Sequence, residues 1–203
     1  MASTTIETET ELSAVNSILG AIGQSPVTAV DTANPETSFI YNILRDTNVD
    51  VQNEGWHFNT ENHIKFSPDS NEEIVVSDNV IRIDATDGWE NYTKNIVVRN
   101  NKLYDKIDHT SKFTDDVYCD VVTLYELEKI PSVFQRYIIL KASARAATQL
   151  VTNPQLVQLL AAQELQARAA CVEYECNQGN HSYLGVPEES IYTTYQPWRA
   201  LRR

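Results

Sequence analysis

The stretch "QNEGWHFNTE", residues 52 to 61, sets a histidine between two large aromatics where a helical pattern stops. Three kinds of chemistry fit such a group. His57 could be an acid or base tuned by an aromatic pocket, because burial lowers an imidazole's pKa. The aromatics could be a binding face. Or Gly55, Trp56, Phe58 and Asn59 could form a corner that locks two elements together. Catalysis needs partners, and the other histidines (His63, His109, His181) are scattered along the chain. A lone histidine at a corner is more often structural.

The remaining chemistry-bearing residues point the same way. Glu72-Glu73 and Asp115-Asp116 are adjacent pairs. Neighbours in a strand face opposite sides, so such a pair cannot share a proton or flank one glycosidic bond. In a loop they could, and acids from separate elements could still build a glycosidase. No GxSxG, HExxH, GxGxxG or P-loop pattern occurs. The three cysteines, Cys119, Cys171 and Cys176, make neither a disulfide scaffold nor a zinc spacing. They read as small buried or half-buried thiols. No catalytic, cofactor or metal residue is assigned.

The elements that must position the corner follow from period and caps. "TETE" offers Thr8 as N-cap with Glu11 three residues on. Leu12, Val15, Leu19 and Ile22 then recur at helical spacing, and Gly23 and Pro26 end the helix. Asn34-Pro35 opens a second helix whose Ile40, Ile43, Leu44, Thr47 and Val51 share a face; Gly55 is its stop. From Trp56 to about residue 127 the period is two. "EEIVVSDNVIRID" reads as two strands around Asp78-Asn79, and "NIVVRNNKLYDKID" as two around Asn100-Asn101. "DDVYCDVVTLYEL" is a longer strand with Val117, Cys119, Val121 and Thr123 on one face. Pro131 opens a third helix and Asn153-Pro154 a fourth; the short link makes them an antiparallel hairpin.

The expected fold is therefore α+β. A four-helix antiparallel body, two N-terminal helices (1–55) and two long C-terminal ones (129–178), carries an inserted antiparallel β-domain (56–128) and an extended C-terminal arm (179–203). The arm is aperiodic yet rich in Tyr, Trp and Arg, which are enriched in interface hot spots. Tyr183, Tyr192, Tyr195, Trp198, Arg199, Arg202 and Arg203 are its candidate contacts with a partner.

Charge narrows the partners. Residues 1–130 carry 23 acids and 9 bases, and residues 131–203 carry 5 and 7, for a net −12. A nucleic-acid grip needs a basic stripe, and none is visible. Such a surface suits a conduit that DNA slides past. The start "MASTTIETETELSAV" has no apolar signal region, and no apolar run approaches the ~18 residues of a membrane span. The chain reads as soluble and made in a cytoplasm.

Four stretches carry a likeness beyond general pattern: "ETELSAVNSILGAIGQSPV", "QNEGWHFNTE", "LEKIPSVFQRYIILKASARAATQLVTNP" and "ELQARAACVEYECNQGNHSYL". Together they resemble the tail tubular protein A family, the head-to-tail adaptors or gatekeepers of short-tailed phages. The resemblance covers residues 10 to about 183; it is closest at the helices and the Gly-Trp-x-Phe-Asn corner, and general in the β-region. It implies a structural virion protein in the phage tail, assembled in the host cytoplasm. The implied assembly is a homo-oligomeric ring, usually twelve-fold. The portal protein lies above it, tail tubular protein B (the nozzle) below, and tail fibres near that junction. DNA passes through without specific binding. The arm would meet the portal or a neighbouring subunit. The alternative is a tail-associated glycan hydrolase using carboxylates of the β-insertion; a monomeric binding module is a third reading. In the adaptor reading, Trp56 and Phe58 pack together on the helical body and Asn59 satisfies backbone groups at the turn.

Overall fold

Two side chains exchange hydrogen bonds at the first helix: Thr10 Oγ1 accepts from the Ser13 N–H (3.2 Å), and Ser13 Oγ from the Thr10 N–H (3.0 Å). Helix α1 therefore spans Glu11–Ala21, and its capping box is Thr10 with Ser13 rather than Thr8 with Glu11. A hydroxyl at the third helical position serves as well as a carboxylate. Gly23, at φ +80°, lets the chain leave the helix, with the Gln24 N–H returning to the Leu19 carbonyl. The computed structural model describes residues 10–31, 34–86, 94–151 and 153–178. The arm, His181 and Thr8 lie outside them.

Helix α2, Pro35–Gln52, begins as its sequence dictates. Asn34 Oδ1 accepts from the Glu36 N–H, and Pro35 gives up no needed donor at the first position. Its face of Ile40, Ile43, Leu44, Thr47 and Val51 is buried. Helices α3, Ser132–Leu150, and α4, Pro154–Gln178, form the antiparallel hairpin. Late α4 meets early α3 (Cys171 with Val133), and Leu160 meets Ala144 and Ala147 at the turn end. The four helices share one apolar core around Phe134 and Tyr137, which also takes in Trp56, Leu127 and Ile130.

Between α2 and α3 lie five strands: β1 Thr60–Phe66, β2 Val80–Ala85, β3 Ile96–Arg99, β4 Lys102–Asp105 and β5 Val117–Thr123. The molecule is α+β. Strand β5 is central, antiparallel to β1 on one side and β2 on the other. Its inward residues Val117, Cys119 and Val121 join Ile74, Leu103 and Phe113 in a second apolar cluster. Strands β3 and β4 make a hairpin whose two loop residues, Asn100 and Asn101, hold φ of 51° and 60°. That is the left-handed pair a tight hairpin needs.

The stretch 72–76 departs from expectation. It does not pair with β2 around Asp78-Asn79. Instead Val76 N–H reaches the Asn101 carbonyl (2.8 Å), and Ile74's carbonyl accepts from Leu103 N–H (2.9 Å). The alternation is real, with Ile74 and Val76 buried and Val75 62% exposed. Alternation sets which face is buried, while the partner strand is chosen by the second core, so β2 turns away to pair with β5.

Candidate functional site

Gly55 ends α2 at φ +75°, a conformation that costs most residues. The chain then doubles back toward β1. Trp56 is 7% exposed and hydrogen-bonded through Nε1 to the Val51 carbonyl (2.7 Å). Trp56 and Phe58 meet the helical body through Phe134 of α3, at ring distances of 4.9 Å and 4.7 Å. Phe134 of the helical body is the common partner of the two rings. Tyr174 of α4 meets the same ring edge-on at 5.9 Å. Offset and edge contacts of this kind suit the ring quadrupoles.

Asn59, 1% exposed, closes the turn. Its Oδ1 accepts from the Trp56 N–H (2.8 Å), while Nδ2 donates to the carbonyls of Gln52 (2.9 Å) and Thr123 (3.2 Å). One amide thus ties α2, the corner and β5. Gln52 works beside it, fully buried. Its Oε1 accepts from the Tyr125 N–H, and its Nε2 donates to the Tyr125 carbonyl, each at 2.8 Å. The side chain pairs with Tyr125 as a strand backbone would. The chain entering the β-region and the chain leaving it are pinned at one spot.

His57 stands outside this core. Its ring is exposed, and its backbone N–H donates to Glu175 Oε1 of α4 (2.8 Å). Arg168, also on α4, grips Glu54 with both terminal nitrogens (2.9 and 2.8 Å) and donates to the Tyr137 hydroxyl. The Glu54 hydrogen bond, then Tyr137, hold the guanidinium pKa above its usual value. The end of α2 is thus fastened to both long C-terminal helices.

Among the described residues of the β-region, three carboxylates each have a lysine of their own. Glu73 pairs with Lys102 (2.6 Å), Glu72 lies 3.7 Å from Lys112, and Asp116 pairs with Lys65 (2.7 Å). The Lys65 hydrogen bond, with help from Ser67, holds the Asp116 carboxyl below the usual carboxylate range. Backbone N–H groups of Glu73 and Asn71 do the same for Asp69. Both shifts run opposite to what a general acid needs. Burial pushes the thiols of Cys119 and Cys171 up to about 12, away from nucleophile chemistry. Among the described residues, no three His, Cys, Asp or Glu side chains converge as metal ligands. None of the described helices is long and apolar enough to cross a membrane.

The sequence singled out Gly55, Trp56, Phe58 and Asn59, and the structure brings all four to this corner. It missed Gln52, Phe134 and Glu175. Gln52 adjoins Val51, the last apolar residue of the α2 face, so its position was visible while its role was not. The candidate contacts Tyr183, Tyr192, Tyr195, Trp198, Arg199, Arg202 and Arg203 lie outside the described residues.

The corner is thus a structural junction between the helical core and the β-region. A family model described as "Tail tubular protein" matches residues 12–181, from α1 through the corner and past the end of α4. No curated protein matches the chain. With most of its length under that one model, the chain belongs to the tail tubular protein family and is a structural component of a phage tail.

Proposed function

We propose that the chain is the subunit of an adaptor ring that joins the portal vertex to the tail nozzle. In this reading the helical body (1–55 with 129–178) builds the ring, and the β-insertion (56–128) faces the nozzle or the tail fibres. DNA leaves through the central channel. The arm (179–203), with Tyr183, Tyr192, Tyr195, Trp198, Arg199, Arg202 and Arg203, contacts the portal or the neighbouring subunit. The net charge of −12 supports the conduit, since phosphate gains nothing by lingering on an acidic surface.

One observation carries the ring. Helix α4 buries Leu160, Ala167 and Cys171 against its own body. Its opposite side presents Gln158, Ala162, Leu165, Ala169, Val172 and Cys176 to solvent, at alternating steps of four and three. That is a coiled-coil seam with no partner within the described residues. Leu165 is 71% exposed and Val172 45%. A helix apolar on both sides belongs between two layers, and a neighbouring copy supplies the second layer.

Native mass decides the matter, measured with and without the cognate portal ring. Wild-type chain is expected to assemble, alone or on the portal. Leu165→Glu should remain a folded monomer in both settings, its stability within about 0.5 kcal/mol of wild type because the site is exposed. Truncation after Asn180 should lose portal-dependent assembly. A wild-type monomer that ignores the portal overturns the adaptor reading.

A further inference from the structure

Residues 94–112 are a basic stretch in an acidic chain. They carry five bases and two acids, while the rest of the chain has 11 bases and 26 acids. Strands β3 and β4 set the middle of this stretch on one face. Arg99 stands opposite Lys102 and Val97 opposite Tyr104, and Val75 bridges to Lys102. These five side chains share the outer side, since Ile74, Ile96 and Leu103 take the other and are buried. Glu73 pairs with Lys102 at 2.6 Å. Arg99 is exposed, lies over the Tyr104 ring at 4.0 Å, and has no ion pair among the described residues. Val75 beside it is 62% exposed. Arginine on tyrosine next to a bare valine is the composition of a protein contact rather than of a phosphate grip. The stacked guanidinium keeps its planar fork for a carboxylate.

The sheet β1-β5-β2 offers the complement. Val117, Cys119 and Val121 of β5 face the core of the β-region, so Asp120 faces away from it. Its register partner on β2 is Asp84, flanked by Ile83 and Ala85, which also pack on that core. Two like charges directly opposite each other destabilise a sheet. Neither carboxylate has an ion pair among the described residues. Arg82, on the same outer face, lies against Gly55 and Val122 instead. Asp120 is also held in place, its Oδ1 accepting from the His63 N–H (2.8 Å) and the Thr86 hydroxyl (3.1 Å). A cation brought from outside would relieve this pair.

We propose that the two faces meet between copies of the chain, with Arg99 of one copy docking on Asp84 and Asp120 of the next and Val75 and Tyr104 packing around the contact. The inference rests on the ring reading and adds to it a second joint, separate from the α4 seam. The two faces differ, so the contact runs head to tail, which is the kind that closes a ring. It explains why one face of a strongly acidic chain is basic.

Arg99→Glu and Asp84→Arg, both at exposed sites, form the test pair. Circular dichroism checks that each stays folded. Either variant alone sets like charges across the joint and should weaken self-association of the full chain about tenfold in sedimentation velocity at low salt. Mixed one to one, they restore opposite charges at every joint, and association should return to the wild-type level. Assembly, alone or on the portal, that neither variant alters overturns the contact and leaves the adaptor reading standing. So does a mixture no better than its components. Association that follows these charges in a chain that ignores the portal supports the contact and overturns the adaptor reading. A wild-type chain that is monomeric in both settings overturns both. Weaker retention of Arg99→Glu on duplex DNA, with assembly unchanged, gives the face to nucleic acid and overturns the proposal.

Discussion

Asn59 does with one amide what a turn motif usually spreads over several residues. Removing it in Asn59→Ala leaves the buried Trp56 N–H and the part-buried Thr123 carbonyl without this partner. At about 1–3 kcal/mol for each orphaned group, the variant should lose about 2–6 kcal/mol in urea unfolding, toward the lower end because one group is only part-buried. Gly55 separates two effects that are often merged. An added Cβ would meet Arg82 Nη2 at 2.5 Å, but that atom ends a flexible side chain. The main cost of Gly55→Ala is therefore its φ of +75°, about 1–2 kcal/mol. Gly55→Asn should cost less, because asparagine tolerates that region, although it brings the larger side chain to Arg82. Equal or reversed losses in thermal unfolding would put the clash first. Trp56→Ala, at a site 7% exposed, should cost about 3–5 kcal/mol.

At the scale of elements, the β-region is held partly by carboxylates with depressed pKa values. Asp69 and Asp116 both sit below their ordinary value of 3.8 in the folded chain. Their contribution is thus present above the unfolded pKa and is lost as pH falls through the folded one. Carboxyl-carbon NMR should place both midpoints under 3.8. Lys65→Ala should raise that of Asp116 alone, since Asp69 is held by backbone N–H groups. What could be read in advance follows the same division between local and distant causes. Asn34-Pro35, Asn153-Pro154 and the Asn100-Asn101 hairpin were legible because caps and tight turns are decided within four residues. The pairing of residues 72–76 was not, because Ile74 and Val76 suit several neighbours and only the assembled core selects one. Gln52 hid for a related reason. A glutamine at a helix end reads as surface, and its partner Tyr125 is 73 residues away.

At the scale of the molecule, the helical core joins segments from opposite ends of the sequence. Helices α2 and α3 pack together across residues 53–131, a separation of 79 residues. The pinning of Tyr125 by Gln52 and of Thr123 by Asn59 changes what that separation means for the search to the native state. Once the β-region has closed on itself at this neck, the segment still to be closed shrinks to residues 53–59 and 123–131, or 16 residues. By the logarithmic law of loop closure, the gain is about 1.4 kcal/mol, roughly tenfold in rate if the neck forms early. Helix-only pairing would have to meet that entropy unaided. Stopped-flow refolding should therefore show Gln52→Leu slowing the folding arm of the chevron more than it speeds unfolding. The sheet would then be a kinetic scaffold for the helices, and the order of events would run from the middle of the chain outward.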